Sequence, residues 1–289
     1  MTHTDIAKAL VGTFVSGDVA VAEASALPSY KQHNLNFGDG RDAFVAAVKG
    51  LQEAPVKTTL QTVRSFEDGE YVVLHSIVNF AGSGDQVALD VFRFEDDKIA
   101  EHWDNVANVV APNPSGHTQT DGATEVTDLD KTDANKALVA DFVRDVLRGE
   151  NPDKLPEYIA GEDYIQHNVD IADGLTGLTT AFAAMAEQGV AMVYDKVFKV
   201  LGQGNFVLVL GDGEFGGKPV AFYDLFRVAD GKIAEHWDII EEIPAETPGQ
   251  NKTAKLNQNP TGAPICAAPF VYCSCMDLDY IRIYMIFEQ

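Results

Sequence analysis

Lys98-Ile99-Ala100-Glu101-His102-Trp103-Asp104 returns unchanged as Lys232-Ile233-Ala234-Glu235-His236-Trp237-Asp238, 134 positions later. Gln32-His33-Asn34 returns as Gln166-His167-Asn168, Asp39-Gly40 as Asp173-Gly174, Asp90 as Asp224, and Phe92-Arg93 as Phe226-Arg227, all in the same register. A period this long is not that of a short solenoid repeat; it marks two complete copies of one small domain. The 289 residues suffice for two such domains, each burying its own core.

Each heptapeptide closes a series of β-rich runs. In the first copy these are 56–66, 71–80, 87–94 and 98–106, separated by turn signals such as Glu67-Asp68-Gly69 and Ala81-Gly82-Ser83-Gly84. Helical patterns precede them. Thr4 reads as the cap of a helix carrying Ile6, Leu10 and Phe14, and Asp39-Gly40 opens another carrying Phe44, Val48 and Leu51. Helices followed by a strand meander predict an α+β fold, with helices on one face of an antiparallel sheet. Tyr30 to Asn34 reads as extended or loop-like.

These signals divide the chain into a first domain (1–110), a Pro-, Gly- and Thr-rich linker (111–131), a second domain (132–248) and a tail (249–289). Thr132 reads as the cap of the second copy's first helix, whose stripe includes Leu138, Phe142 and Val146. In the shared register His75 stands opposite Val209, so it is not a repeated feature. The tail segment 280–287 alternates like a strand and matches nothing in the repeats.

The composition is that of a globular chain, 46% hydrophobic, with a formal charge of -23 from 44 acidic and 21 basic residues. Such acidity argues against nucleic acid or an anionic membrane as partner. Cys266, Cys273 and Cys275 all lie in the tail, so no disulfide framework holds the repeats. There is no basic-then-apolar leader at the N-terminus and no apolar run of about 18 residues. A cytoplasmic protein is expected.

The repeated polar residues are the candidate site. Asp224, His236 and Asp238 lie on consecutive strands joined near Ala229-Asp230-Gly231. A two-residue turn sets Asp224 opposite Trp237, on the wrong face for His236. A three-residue turn with a bulge sets Asp224 opposite His236 and brings Asp238 to the same face; Gly231 in third place favours it. The same reading gathers Asp90, His102 and Asp104, and sends Trp103, Trp237, Arg93 and Arg227 to the other face. A histidine between two carboxylates is a plausible acid/base unit, and His33, Asn34, His167 and Asn168 are candidates to orient a substrate carbonyl. The same side chains equally suit a buried network in which polar groups satisfy one another. Their spacing matches no compact metal motif, and no nucleophile elbow, P-loop or dinucleotide fingerprint occurs, so neither metal nor cofactor is expected.

Tyr164-Ile165-Gln166-His167-Asn168, Asp173-Gly174, and Tyr223 to Val228 leading into Asp230 to Asp238 resemble the SnoaL-like polyketide cyclase family of the NTF2-like superfamily. The first copy resembles it from Tyr30 to Asp104, with Asp97 in place of the turn glycine. The resemblance implies two tandem α+β cones, each a curved antiparallel sheet wrapped round a pocket that helices close. It implies aldol-type acid/base chemistry without metal or cofactor, carried by Asp104 and Asp238 or by Asp90 and Asp224, with His102, His236, His33 and His167 assisting. It also implies pairing of the two halves through their sheets as an intrachain pseudo-dimer. Three functions remain open: a cyclase, isomerase or lyase acting on a small carbonyl compound; a non-catalytic small-molecule binder; and a scaffold.

Overall fold

The computed structural model describes residues 1–244 together with Lys255 and Leu256. The tail segment 280–287 lies outside the described residues. The first copy runs α1 (His3–Ser16), α2 (Val19–Ser25), β1 (Ala26–Gln32), α3 (Arg41–Glu53), β2 (Thr59–Asp68), β3 (Tyr71–Asn79), β4 (Gln86–Glu95) and β5 (Lys98–Asn108). The second runs α4 (Thr132–Phe142), α5 (Leu155–Tyr158), β6 (Ile165–Gln166), α6 (Gly174–Glu187), β7 (Met192–Gln203), β8 (Phe206–Phe215), β9 (Lys218–Ala229) and β10 (Lys232–Glu242). The sheets have matching orders, β1-β5-β4-β3-β2 and β6-β10-β9-β8-β7. This is the expected α+β architecture in two tandem units, with one correction: β1 and β6 pair parallel to β5 and β10, so each sheet is mixed.

Two helix starts also differ from expectation. Thr2, not Thr4, caps α1, in a reciprocal pair with Asp5. Thr132 is the first residue of α4 and not its cap; its hydroxyl donates to the Leu129 carbonyl. The second-copy stripe continues beyond α4 into a wider π turn over Val143–Leu147, which keeps Val143, Val146 and Leu147 on the core side.

Each sheet buries both faces. On the inner face of the first, Val72, Leu74, Phe92, Phe94 and Ile99 meet Ala7, Leu10, Val11 and Phe14 of α1 and Phe44, Val45 and Val48 of α3. The second copy repeats this with Val207, Val209, Phe222, Phe226 and Ile233 against Val139, Phe142 and Leu178. The outer faces share one apolar cluster, in which Val91 and Trp103 of one sheet join Leu208, Leu225 and Trp237 of the other. Contacts across it are reciprocal. Arg64 on β2 lies over the Trp237 ring at 4.2 Å, and Lys199 on β7 lies over Trp103 at 5.0 Å. Asn105 donates to the carbonyls of Ala221 and Ile239 in the other copy, at 2.8 Å each.

The β3 register corrects one reading of the repeat. Leu74 pairs with Asp90 and Val209 with Asp224, so Val209 is the counterpart of Leu74; His75, opposite Leu89, corresponds to Leu210, opposite Tyr223. The β8–β9 turn, Gly216-Gly217, is shorter than the loop between β3 and β4, which shifts the frame by one residue.

Candidate active site

The register of the last hairpin decides which side chains meet. Lys232 pairs with Ala229 across a two-residue turn, Asp230-Gly231, with φ of 50° and 73°. Positive φ at both positions matches the right-handed twist of the strands. Ala234 then bulges, so Glu235 pairs with Arg227, His236 with Phe226 and Asp238 with Asp224. The first copy is the same, with Asp96-Asp97 at φ 49° and 59°, a bulge at Ala100, and Asp104 opposite Asp90. The turn has two residues, not three. The bulge supplies the one-residue slip that turns His and Asp to the same face, because side-chain direction alternates along a strand.

On the inner face of the second copy, Asp224, His236 and Asp238 converge. His236 Nε2 lies 3.1 Å from Asp224 Oδ1, and Nδ1 lies 3.0 Å from Gln166 Oε1. The Gln166 amide is oriented by its Nε2, which donates to the Tyr164 hydroxyl at 3.0 Å. Its Oε1 therefore faces the imidazole, and acceptors stand at both ring nitrogens. Burial opposes charge on His236, but the Asp224 hydrogen bond and the charges of Asp238 and Asp224 outweigh it, and its pKa is raised. Asn168 Nδ2 donates to Asp238 Oδ2 at 2.7 Å. Burial, helped by the Asp224 charge, raises the Asp238 pKa against the opposing pull of His236 and Asn168.

The first copy repeats the network: His102 Nε2 to Asp90 at 2.9 Å, Nδ1 to Gln32 at 2.9 Å, and Asn34 to Asp104 at 2.6 Å. Burial raises Asp90, with Asp104 adding to it and His102 opposing. The second oxygen of Asp104 is buried 3.8 Å from the Lys255 ammonium, which pairs with Glu241 at 2.8 Å. In each copy the two carboxylates and the imidazole offer ligand atoms within 4.8 Å of one another, a set that could hold a cation.

His33 and His167 do not join these groups. In the run Gln32-His33-Asn34 the side chains alternate, so Gln32 and Asn34 line the inner cavity while His33 turns to the outer face. There His33 stacks on Trp103 at 4.8 Å and meets Glu101 at 3.1 Å; His167 stacks on Trp237 at 4.6 Å and meets Glu235 at 2.9 Å. Each Glu is braced by an arginine, Arg93 at 2.9 Å and Arg227 at 2.6 Å. Burial acts to raise both glutamates, but the imidazole and the guanidinium outweigh it and hold their pKa values below the usual range. Glu101 and Glu235 sit inside the repeated heptapeptide, so the repetition itself could have flagged them.

The two cavities differ in size. In the first copy Phe14 packs on Phe44 at 4.9 Å and on Phe80 at 5.4 Å, with Phe37 beside them, leaving about 40 Å³, room for only a few waters. In the second, Ile171 and Leu178 replace Phe37 and Phe44, and the cavity is about 600 Å³, the size of a small-molecule pocket. It is lined by Phe142, Phe182, Met185, Met192 and other apolar side chains, with Gln166, Asn168, Asp224, His236 and Asp238 at one end. Tyr194 belongs to this copy alone. Its ring stacks on Phe222 at 4.8 Å, lies across Gly211 where a Cβ would overlap it, and its hydroxyl donates to Asp224 Oδ2 at 3.3 Å. Leu60 takes its place in the first copy. The repeat pattern could not flag Tyr194 because it is not repeated.

Residues 7–102 match the family model described as a SnoaL-like domain. No curated protein matches the chain. Similar solved structures include TsrD from Streptomyces laurentii (17% identity, 36% of this chain and 86% of that one, TM-score 0.32) and IdmH from Streptomyces antibioticus (19%, 37% and 92%, 0.31). An LEH-like epoxide hydrolase from M. tuberculosis is also similar (16%, 36% and 82%, 0.32). Each match spans about one copy of the repeat, and at these values none speaks to substrate or chemistry.

Proposed function

From a chain whose residues 7–102 match the SnoaL-like domain model, with the same site laid down twice, we infer that the second copy is the working one. It binds a small, largely apolar carbonyl compound and performs acid/base chemistry on it without a cofactor: aldol-type cyclisation, isomerisation or a related lyase step. The observation that carries this reading is the ligand-sized cavity ending on Asp238, Asn168 and the His236–Asp224 pair, against a first-copy cavity too small for a ligand.

The roles follow from the contacts. Asp238 takes an acidic C–H proton from the carbon next to the carbonyl, since its raised pKa makes it a stronger base than an ordinary carboxylate, and returns that proton to the product. His236, favoured in its charged form, offsets the negative charge that develops on the enolate. Asp224 holds the imidazole, and Asn168 holds Asp238. Asp90, His102 and Asp104 form the closed copy of the same set, and the reciprocal outer-face contacts support an intrachain pseudo-dimer in which the first half braces the second. A cytoplasmic location goes with this reading; among the described residues no helix is long and apolar enough to cross a membrane.

Titration with neutral, enolisable bicyclic ketones tests it. One ligand per chain is expected, displaced by substitutions at the second cavity and not at the first. Two equal sites, or none across such a panel, would overturn it. Binding with no turnover in the unsubstituted protein would give the alternative, a non-catalytic binder.

A further inference from the structure

We propose that His117, Asp121 and His167 form a binding site for a divalent transition-metal ion, zinc foremost, which clamps the linker onto the second domain. This site lies on the outer face, behind Trp237, and takes no part in the cavity chemistry.

The nitrogens and the carboxylate converge. Asp121 lies between the two imidazoles, with Oδ1 2.8 Å from His167 Nδ1 and Oδ2 3.5 Å from His117 Nδ1. Potential ligand atoms of the three residues lie within 4.8 Å of one another. The ring centroids are 5.2 Å apart at 59°. Two imidazoles bound to one tetrahedral ion at the usual Zn–N length of about 2.0–2.1 Å place their centroids roughly 5 Å apart.

The far side of each ring shows the same design. His167 Nε2 lies 2.9 Å from the buried Glu235, and His117 Nε2 lies 3.0 Å from Asp173. A carboxylate on the distal nitrogen fixes the tautomer that leaves the near nitrogen as a lone pair, the arrangement found behind metal-bound histidines. Those lone pairs then face oxygens: Asp121 for both rings, and the Thr118 carbonyl, 2.8 Å from His167 Nδ1. Lone pairs aimed at a carboxylate repel unless a cation or a proton stands between them. Two nitrogens and one or two oxygens suit zinc and its neighbours in the first transition row.

The surroundings hold the linker in place for this. Asn113 donates to the carbonyls of Gln166 and Ile171, and the Asp121 carbonyl accepts from Trp237 Nε1 at 3.0 Å and from Arg64 at 2.7 Å. Gly122, at φ 87°, lies so close to Glu235 and Trp237 that a Cβ would overlap both. The first copy has the equivalent His33–Glu101 pair and the Trp103 stack; among the described residues the other two ligands, which come from the linker, occur once. His117 and Asp121 are part-exposed, which gives an ion an entry path.

The test is calorimetric titration of the chelator-dialysed full chain with Zn²⁺ alone, repeated with Co²⁺ to read ligand-field bands of tetrahedral N/O coordination. One ion per chain is expected, with a raised unfolding temperature. Asp173→Asn should weaken binding roughly 10-fold and His117→Ala or Asp121→Ala by more. Asp224→Asn and Asp238→Asn should leave it unchanged. No binding by the unsubstituted chain, or equal affinity in the His117→Ala/Asp121→Ala double variant, overturns the proposal. His117 and Asp121 are part-exposed, and Asp173→Asn is a conservative change beside them, so the set stays informative if one variant fails to fold.

Discussion

The Tyr194 hydroxyl donates to Asp224 Oδ2 over 3.3 Å, and the ring that carries it lies where only a glycine, Gly211, leaves room. Asp224 is thereby held from two sides, by the phenol and by His236. In the proposed mechanism a carboxylate tied down in this way anchors the imidazole and leaves Asp238 to move protons.

Tyr194→Phe therefore lowers kcat with little change in KM, because the apolar wall stays and only the hydroxyl goes. The loss in stability is about 0.5–1.5 kcal/mol, that of one buried hydrogen bond. Gly211→Ala produces the larger defect, since it displaces the whole ring. Steady-state kinetics and urea unfolding of both variants give the comparison; equal kcat in Tyr194→Phe and the unsubstituted protein would remove the anchoring role.

The raised pKa of His236 has a consequence for stability. A group that binds its proton more tightly when folded stabilises the protein fully below its unfolded pKa of about 6.5 and loses that contribution as pH rises through the folded value. Stability should fall as pH rises from about 6.5 through the raised folded value, and Asp224→Asn should flatten that fall while lowering the His236 midpoint in an NMR titration. The glutamates act in the opposite direction. Glu101 and Glu235 are held below 4.5, so their contribution is present above that value and is lost as pH falls through their folded pKa values.

Glu235 is 1% exposed and joins Arg227 to His167. Glu235→Ala leaves a guanidinium and an imidazole without their shared anion, a defect of about 3–5 kcal/mol. Equilibrium unfolding in urea measures it. A loss below 1 kcal/mol would mean that the network adds little to the shared core.

Exchanging cavity residues between the copies should move the binding site. Ile171→Phe with Leu178→Phe fills the second cavity and abolishes ligand uptake; Phe37→Ile with Phe44→Leu enlarges the first. Calorimetric stoichiometry reads both. The reciprocal pair fails as an explanation of the size difference if the filled variant still takes up one ketone per chain.

The repeat made most of the architecture legible. Two copies, helices before strands, and Trp and Arg set on the face opposite Asp and His all follow from the shared register and strand alternation. The hairpin was legible only in its result. The sequence places a bulge only with a three-residue turn at Gly231, because Ala100 and Ala234 carry no mark of bulging within the strand; their bulge shows in the pairing of Glu101 and Glu235 with Arg93 and Arg227. The outer position of His33 and His167 follows from strand alternation, but Tyr30–Asn34 reads as extended or loop-like in sequence, and a loop carries no such alternation. The cavity difference was not legible. Phe37/Ile171 and Phe44/Leu178 are visible as substitutions, yet their effect depends on Phe14 and Phe80 meeting them in space.

The most direct measurement is deuterium uptake at the α-carbons of 2-tetralone, a neutral bicyclic ketone, followed by NMR in D₂O. The unsubstituted protein and Asp104→Asn should catalyse exchange at equal rates, while Asp238→Asn binds the ketone and exchanges it no faster than buffer. Full exchange activity in Asp238→Asn, or its loss in Asp104→Asn alone, would contradict an acid/base site centred on the second copy.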